Sequence, residues 1–142
     1  MVIADTGFWV SLLWRRDPWH LRVREAYTRY ADEGFISTWP VLTETCYLLG
    51  RSVGEDAKLG LLERVVDHSI QVCALVESDA LRMTALMRRY ADLPMDLADA
   101  SLVVLAERLG HGRILSTDTR DFGAYRWKNH QPFINLLSPG ET

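Results

Sequence analysis

The chain has 142 residues, 48% of them hydrophobic and 25% charged, a balance that suits one globular domain with its own core. Its 16 basic and 19 acidic residues leave a net charge of -3, which argues against simple charge-driven binding of nucleic acid but not against a site whose acids are covered by bound cations. No apolar run approaches the roughly 20 residues of a membrane helix, the first apolar run stops at Asp5 with no basic flank, and Cys46 and Cys73 lack metal-ligand spacing. The expectation is a cytoplasmic protein with two buried free thiols and no membrane contact, residues 1–137 being one domain and 138–142 a loose tail.

Met1 to Ala4 reads as a short strand, followed at once by Asp5-Thr6-Gly7 and a short helix from Phe8 to Trp14. Pro18 is placed to open a second helix, in which Trp19, Val23, Ala26, Tyr27 and Tyr30 recur at helical spacing up to Gly34. Phe35-Ile36-Ser37 is a second strand. Pro40 opens a helix to about Leu49 with Val41, Glu44 and Leu48 on one stripe, and Gly50 to Gly54 is a loop. Glu55 to His68 is amphipathic, with Leu61, Leu62, Val65 and Val66 expected inward. Ile70 to Leu75 is a third strand, and Ser78 is placed to cap a helix through Tyr90 whose apolar members are Leu81, Ala85 and Leu86. A long apolar helix runs from Asp96 to Gly110, a residue able to close it in the left-handed conformation. Arg113 to Ser116 is a fourth strand, Asp118 follows its end, and Phe133 to Leu136 is the last strand after a polar and aromatic connection. Strands alternating with helices predict an α/β fold with a mostly parallel sheet.

Two acids sit where apolar residues belong. Asp99 shares a stripe with Leu102, Val103 and Ala106, and Glu44 lies among apolar neighbours. Burying an unpaired carboxylate is costly, so such groups are paired or bound to metal. Asp96, three residues before Asp99, has the simpler reading of a charge favoured by the start of the helix. In a parallel sheet, ligands bind beyond the carboxyl ends of the strands where strand order reverses. If the strands before Asp5 and Asp118 are neighbours there, both acids face one crevice, and the helix starts carrying Glu44 and Asp99 reach the same edge. Two like charges ~4 Å apart cost about 4 kcal/mol at an effective dielectric near 20. Several such pairs rival the whole stability of a domain, about 5–15 kcal/mol, so protons or cations must sit among them. Oxygen ligands suit Mg²⁺ or Mn²⁺ rather than zinc, and acids with hard cations but no obvious nucleophile or histidine base fit phosphodiester hydrolysis. Thr6 and Thr117 could orient water or phosphate, or serve only as local backbone partners.

Ile3-Ala4-Asp5-Thr6, Glu44 on an early helix, Leu97-Ala98-Asp99-Ala100, and Ile114-Leu115-Ser116-Thr117-Asp118 followed by Arg120-Asp121-Phe122 together resemble a PIN domain. Their order and the chain length are most similar to VapC-type toxins of toxin–antitoxin pairs. The resemblance implies a three-layer fold with a parallel sheet flanked by helices, Mg²⁺- or Mn²⁺-dependent endoribonuclease activity on RNA, a homodimer, and inhibition by a VapB-like antitoxin. By position, Asp5, Glu44, Asp99 and Asp118 match the family's acidic quartet, with Asp5, Asp99 and Asp118 as metal ligands. Asp96 and Asp121 are further acids that either extend the metal site or act as a helix cap and a turn residue. Among the basic residues, Arg120 and Arg126 lie nearest Asp118 in sequence and are the candidates to hold RNA phosphate. Trp9, Trp14 and Trp19 are expected to pack in the core or at a dimer or antitoxin surface.

Other readings remain at this stage. The same motifs fit an RNA-processing nuclease without an antitoxin, or a non-catalytic interaction module that keeps its acids as a surface. Asp5-Thr6-Gly7 also matches the aspartic protease triplet, whose chemistry belongs to a largely β scaffold. An aspartate-nucleophile phosphatase usually has a second acid where Gly7 stands.

Overall fold

A computed structural model describes residues 1–137, and the expected tail lies outside them. In chain order the first elements are β1 (Val2–Ala4), α1 (Thr6–Leu13), α2 (His20–Tyr30), β2 (Phe35–Thr38), α3 (Trp39–Ser52), α4 (Glu55–Val66) and β3 (Ile70–Cys73). Then follow α5 (Asp79–Arg89), α6 (Leu97–Leu109), β4 (Arg113–Leu115), α7 (Thr119–Ala124), β5 (Arg126–Trp127), β6 (Gln131–Pro132) and β7 (Ile134–Asn135). Five strands form one sheet in the order β3-β2-β1-β4-β7, every pairing parallel, while β5 and β6 make a separate antiparallel hairpin. The expected α/β architecture, a parallel central sheet flanked by helices, is the one the chain adopts.

The order fixes where a site can form. From β1 the chain builds outward to β2 and β3 on one side, then returns to lay β4 and β7 on the other. Strand order therefore reverses between β1 and β4, and Ile3 pairs with Ile114 and Ala4 with Leu115. Asp5 and Ser116 follow directly, with the Asp5 N–H donating to the Leu115 carbonyl at 3.2 Å.

The sheet's central strands are apolar throughout because both faces are covered: Val2, Ile3, Ala4, Ile114 and Leu115 are fully buried. Helix α6 is hydrophobic almost all round, with Ala98 and the whole run from Ala100 to Ala106 buried, as befits a helix enclosed in the core. Gly110 closes it with φ 76°, donating its N–H to Ala106.

Several expectations need correction. Helix α3 continues through Gly50 to Ser52 instead of ending at Leu49; the turn comes only at Gly54, whose φ of 139° favours glycine. In α4, Leu61 is buried but Leu62 and Val66 are exposed, and in α5 Leu81 and Ala85 are exposed while Leu86 is buried with Met83 and Met87 beside it. Helix α4 packs mainly against α3 and less against the edge strand β3 and α1, and Leu62 and Val66 face away from these neighbours. Ser78 makes no capping bond; the Asp79 carboxylate accepts the Val76 N–H instead. Both cysteines are free, as expected, but half-buried. Trp9 is fully buried, edge-on to Phe8, Tyr27 and Phe35, so it belongs to the core and not to an interface. Helix α7 and the β5–β6 hairpin occupy what reads in sequence as an irregular connection.

Candidate active site

Four helices begin at the carboxyl edge of the sheet, each with a side chain accepting an N–H of its first turn. Asp5 caps α1 by accepting from Phe8 at 3.0 Å, and Thr38 caps α3 by accepting from Val41 at 3.5 Å. Asp96 caps α6 by accepting from Asp99 at 2.8 Å, and Asp118 caps α7 by accepting from Asp121 at 3.0 Å. Their starts line one groove of about 330 Å³, walled by Asp5, Glu44, Asp96, Asp99, Asp118 and Asp121, together with Thr6 and Thr117. The first turns of helices carry partial positive charge and unpaired N–H groups, so the backbone offsets part of the negative charge gathered there.

Each acid is held by a different element. The Ser116 hydroxyl, at the end of β4, donates to Asp5 Oδ2 and accepts the Asp118 N–H at 2.9 Å, tying two of the acids to one strand end. Thr6 donates to Glu44 Oε1 at 2.6 Å, linking α1 to α3. The Thr38 and Ser101 hydroxyls share a hydrogen bond of 2.7 Å in the core, which locks the start of α3 to α6 two residues beyond Asp99. The Tyr125 hydroxyl donates to Asp99 Oδ2 at 3.2 Å, and its ring is wholly buried against Tyr90 and Phe122. Gly7 is required by closeness: a Cβ there would lie 2.0 Å from Thr117 Oγ1.

Burial pushes the Asp5 carboxyl from its ordinary 3.8 up to about 7, helped by the charges of Asp118 and Glu44 and opposed by the bonds from Ser116 and the Phe8 N–H. Burial, then the neighbouring Asp96 charge, raises Asp99 to about 7 as well, against the bonds that it accepts from the Asp96 N–H and from Tyr125. Asp121 is raised by burial and by Asp118. The Tyr125 phenol is pushed above its ordinary range, first by burial and then by the charges of Asp99 and Asp121, so it stays protonated as a donor. Two carboxyls lifted in one groove, first by burial and then by neighbouring acids, are the kind of perturbation that gathers at functional sites.

The donor set is all oxygen, which suits Mg²⁺ or Mn²⁺ and not zinc. Among the described residues no three His, Cys, Asp or Glu side chains are grouped closely enough to hold one ion. Asp5, Glu44, Asp96, Asp99 and Asp118 are instead each turned toward a protein donor. Mg²⁺ keeps several waters and commonly takes only one or two carboxylates directly, so the residues fit such an ion by chemistry and number.

All six acids expected from sequence therefore meet in the groove, with Thr6 and Thr117. Asp96 is an exposed cap as well as a groove residue, its carboxylate and that of Asp99 each accepting the other's N–H. Arg120 and Arg126 are not in the groove wall; Arg126 Nη1 donates to the Gly123 and Tyr125 carbonyls at the end of α7. Ser116 and Tyr125 are residues that sequence reasoning passes over. A hydroxyl closing the strand before Asp118 is a signal for the first; nothing in the sequence marks the second.

None of the protein-family models compared matches the chain. The sequence is similar to ribonuclease VapC26 of Mycobacterium tuberculosis, 30% identical over 125 residues that cover 88% of this chain and 92% of the relative. The fold is similar to the crystal structure of Mycobacterium tuberculosis VapC20, a sarcin–ricin loop cleaving toxin, with a TM-score of 0.78 over 84% of this chain and 92% of that one at 18% identity.

Proposed function

The chain belongs to the VapC family of PIN-domain toxin ribonucleases, and from that membership we propose that it hydrolyses RNA internally with the help of Mg²⁺ or Mn²⁺, as the toxin of a toxin–antitoxin pair. The observation that supports this most is the meeting of Asp5, Glu44, Asp99 and Asp118 in one groove at the strand-order reversal. Asp5, Asp99 and Asp118 are the residues that would hold the metal, one or two of them directly and the rest through its bound waters, with Asp96 and Asp121 at the rim. A divalent ion bound there supplies an activated water and neutralises charge on the scissile phosphate. Glu44, fixed at Oε1 by Thr6, keeps Oε2 to orient the attacking water. Ser116 and Tyr125 hold the Asp5 and Asp99 carboxylates in place. Thr117 lies where it can donate to phosphate.

Three further readings go with this one. The domain spans 1–137, the protein acts as a homodimer in the cytoplasm, and a VapB-like antitoxin blocks the groove. Among the described residues no helix is long and apolar enough to cross a membrane. Asp5-Thr6-Gly7 stands at a strand-to-helix junction of a parallel sheet, which is not the largely β scaffold of aspartic protease chemistry.

Sequencing RNA ends after expression of the protein tests the activity. New internal ends should appear with the wild type and vanish with Asp5→Asn, Glu44→Gln or Asp99→Asn, each still folded by circular dichroism. Unchanged ends with any one variant would remove that residue from the site.

A further inference from the structure

Away from the acidic groove, Arg15, His20, Arg24, Tyr27 and Arg64 line a second cavity of about 610 Å³, with no carboxylate in its wall. In a chain of net charge -3, three guanidinium groups around one space need an explanation. Among the described residues none of the three makes an ion pair. Arg64 is partly preorganised: it donates to the Tyr27 hydroxyl at 2.7 Å and lies 5.1 Å from the centre of that ring. That leaves the hydrogen of the Tyr27 hydroxyl to donate to a ligand. His20 Nδ1 is 2.7 Å from the Ser11 carbonyl, which can only accept, so Nδ1 carries a proton and Nε2 remains for the cavity or solvent. The nearby Asp17 carboxylate is turned to Ser11 and the Trp19 N–H instead.

We propose that this cavity is a second binding site, for the phosphodiester backbone of an RNA strand whose scissile bond lies in the acidic groove. The inference rests on the ribonuclease reading of that groove. Guanidinium forks match phosphate oxygens bidentately and cannot lose their charge, and a phosphodiester supplies the missing anion. The two sites lie at opposite ends of the same helix. Asp5 caps the start of α1 in the groove, and Leu12 near its end lines the basic cavity. Seven residues at 1.5 Å each place them about 10 Å apart along the axis. Helix α3 runs the same way, from Glu44 and Leu48 in the groove to Ser52, which shares a neighbouring hollow with Arg15. A strand that follows α3 to the hollow beside Arg15 and turns around the end of α1 thus has its charge met at the basic end, while the acidic end is left to the metal and the cut.

The test compares binding of a labelled single-stranded RNA of mixed sequence, by fluorescence anisotropy over a salt series, in an Asp99→Asn background that does not cut. Arg15→Ala with Arg24→Ala removes two exposed arginines that make no ion pair among the described residues. Arg88→Ala with Arg89→Ala, two exposed arginines on α5 that neither line the cavity nor lie on α1 or α3, is the charge-matched control. The cavity pair should weaken RNA binding about tenfold and make the plot of log K against log salt shallower by about 1 or more, with a much smaller effect from the control. Placed in the cutting protein, the same pair should raise KM and leave kcat unchanged. Equal affinities for cavity and control variants would overturn the inference, as would lost affinity for a polyglutamate peptide with none lost for RNA, which would assign the cavity to a protein partner. Failure of the ribonuclease reading shows separately, as a wild type that leaves RNA intact in Mn²⁺.

Discussion

Asp99 shows how the fold holds a single carboxylate of the groove. It stands in the first turn of α6, half-buried, with its Oδ2 accepting from a buried phenol whose own ionisation is suppressed. A ligand's outer hydrogen bond fixes its orientation, and losing such a bond commonly costs 10–100-fold in metal affinity. Tyr125→Phe keeps the ring, its packing against Tyr90 and Phe122, and the fold. It should therefore lower Mn²⁺ affinity by about tenfold or more with little change in melting temperature. Equal Mn²⁺ binding by wild type and Tyr125→Phe in a calorimetric titration would reduce Tyr125 to a core residue.

At the level of elements, the site is a convergence of helix starts, and this decides what Asp96 does. Its Oδ1 accepts the Asp99 N–H, the bond that a cap makes. Asparagine caps as well as aspartate, so Asp96→Asn should keep the melting temperature and most of the RNA cleavage. Asp96→Ala should cost about 1 kcal/mol in chemical denaturation. A collapse of cleavage in Asp96→Asn at unchanged stability would instead make Asp96 a metal ligand. The elements that carry this arrangement were legible in the sequence for a physical reason. β1 and β4 are short apolar runs followed within three residues by an acid, and α6 is a long apolar helix with a cap before it and Gly110 after it. The rest was hidden where local signals are weak. Helix α7 has six residues, too few for a hydrophobic period, and β5 and β6 have two each. That hairpin is set by tertiary contacts: Lys128 and Asn129 adopt positive φ, the Lys128 N–H donates to Glu107, and Arg82 and Arg89 reach Asn129. The inward face of α4 was over-read because hydrophobicity alone does not reveal which neighbours a helix meets, here chiefly α3.

For the molecule as a whole, the groove is a liability until it is neutralised. Asp5 and Asp99 are both lifted from 3.8 to about 7 in the folded protein. A carboxyl whose folded value is raised binds its proton more tightly when folded. The stability it contributes is therefore complete below about pH 4 and is lost as pH rises through about 7. For the buried Asp5 the difference is on the order of 4 kcal/mol. Metal-free protein should therefore lose stability between about pH 4 and 7, apart from the opposite contributions of ion-paired acids such as Asp79 and Glu107, whose values are lowered. Asp5→Asn, which keeps the cap, should melt higher than wild type at about pH 8 without metal. A wild type that melts as high as Asp5→Asn under those conditions would mean that Asp5 carries no such cost.

Acids from the ends of β1 and β4 and from α3 and α6 share one pocket, and the proposed function has a divalent ion complete it. Titrating Mn²⁺ into metal-free protein at about pH 8, by calorimetry, tests it most directly, because both raised acids are then ionised. Wild type should bind Mn²⁺ and gain melting temperature with it, and Asp99→Asn should do neither. Absence of Mn²⁺ binding by wild type, or equal binding by Asp99→Asn, would contradict the account.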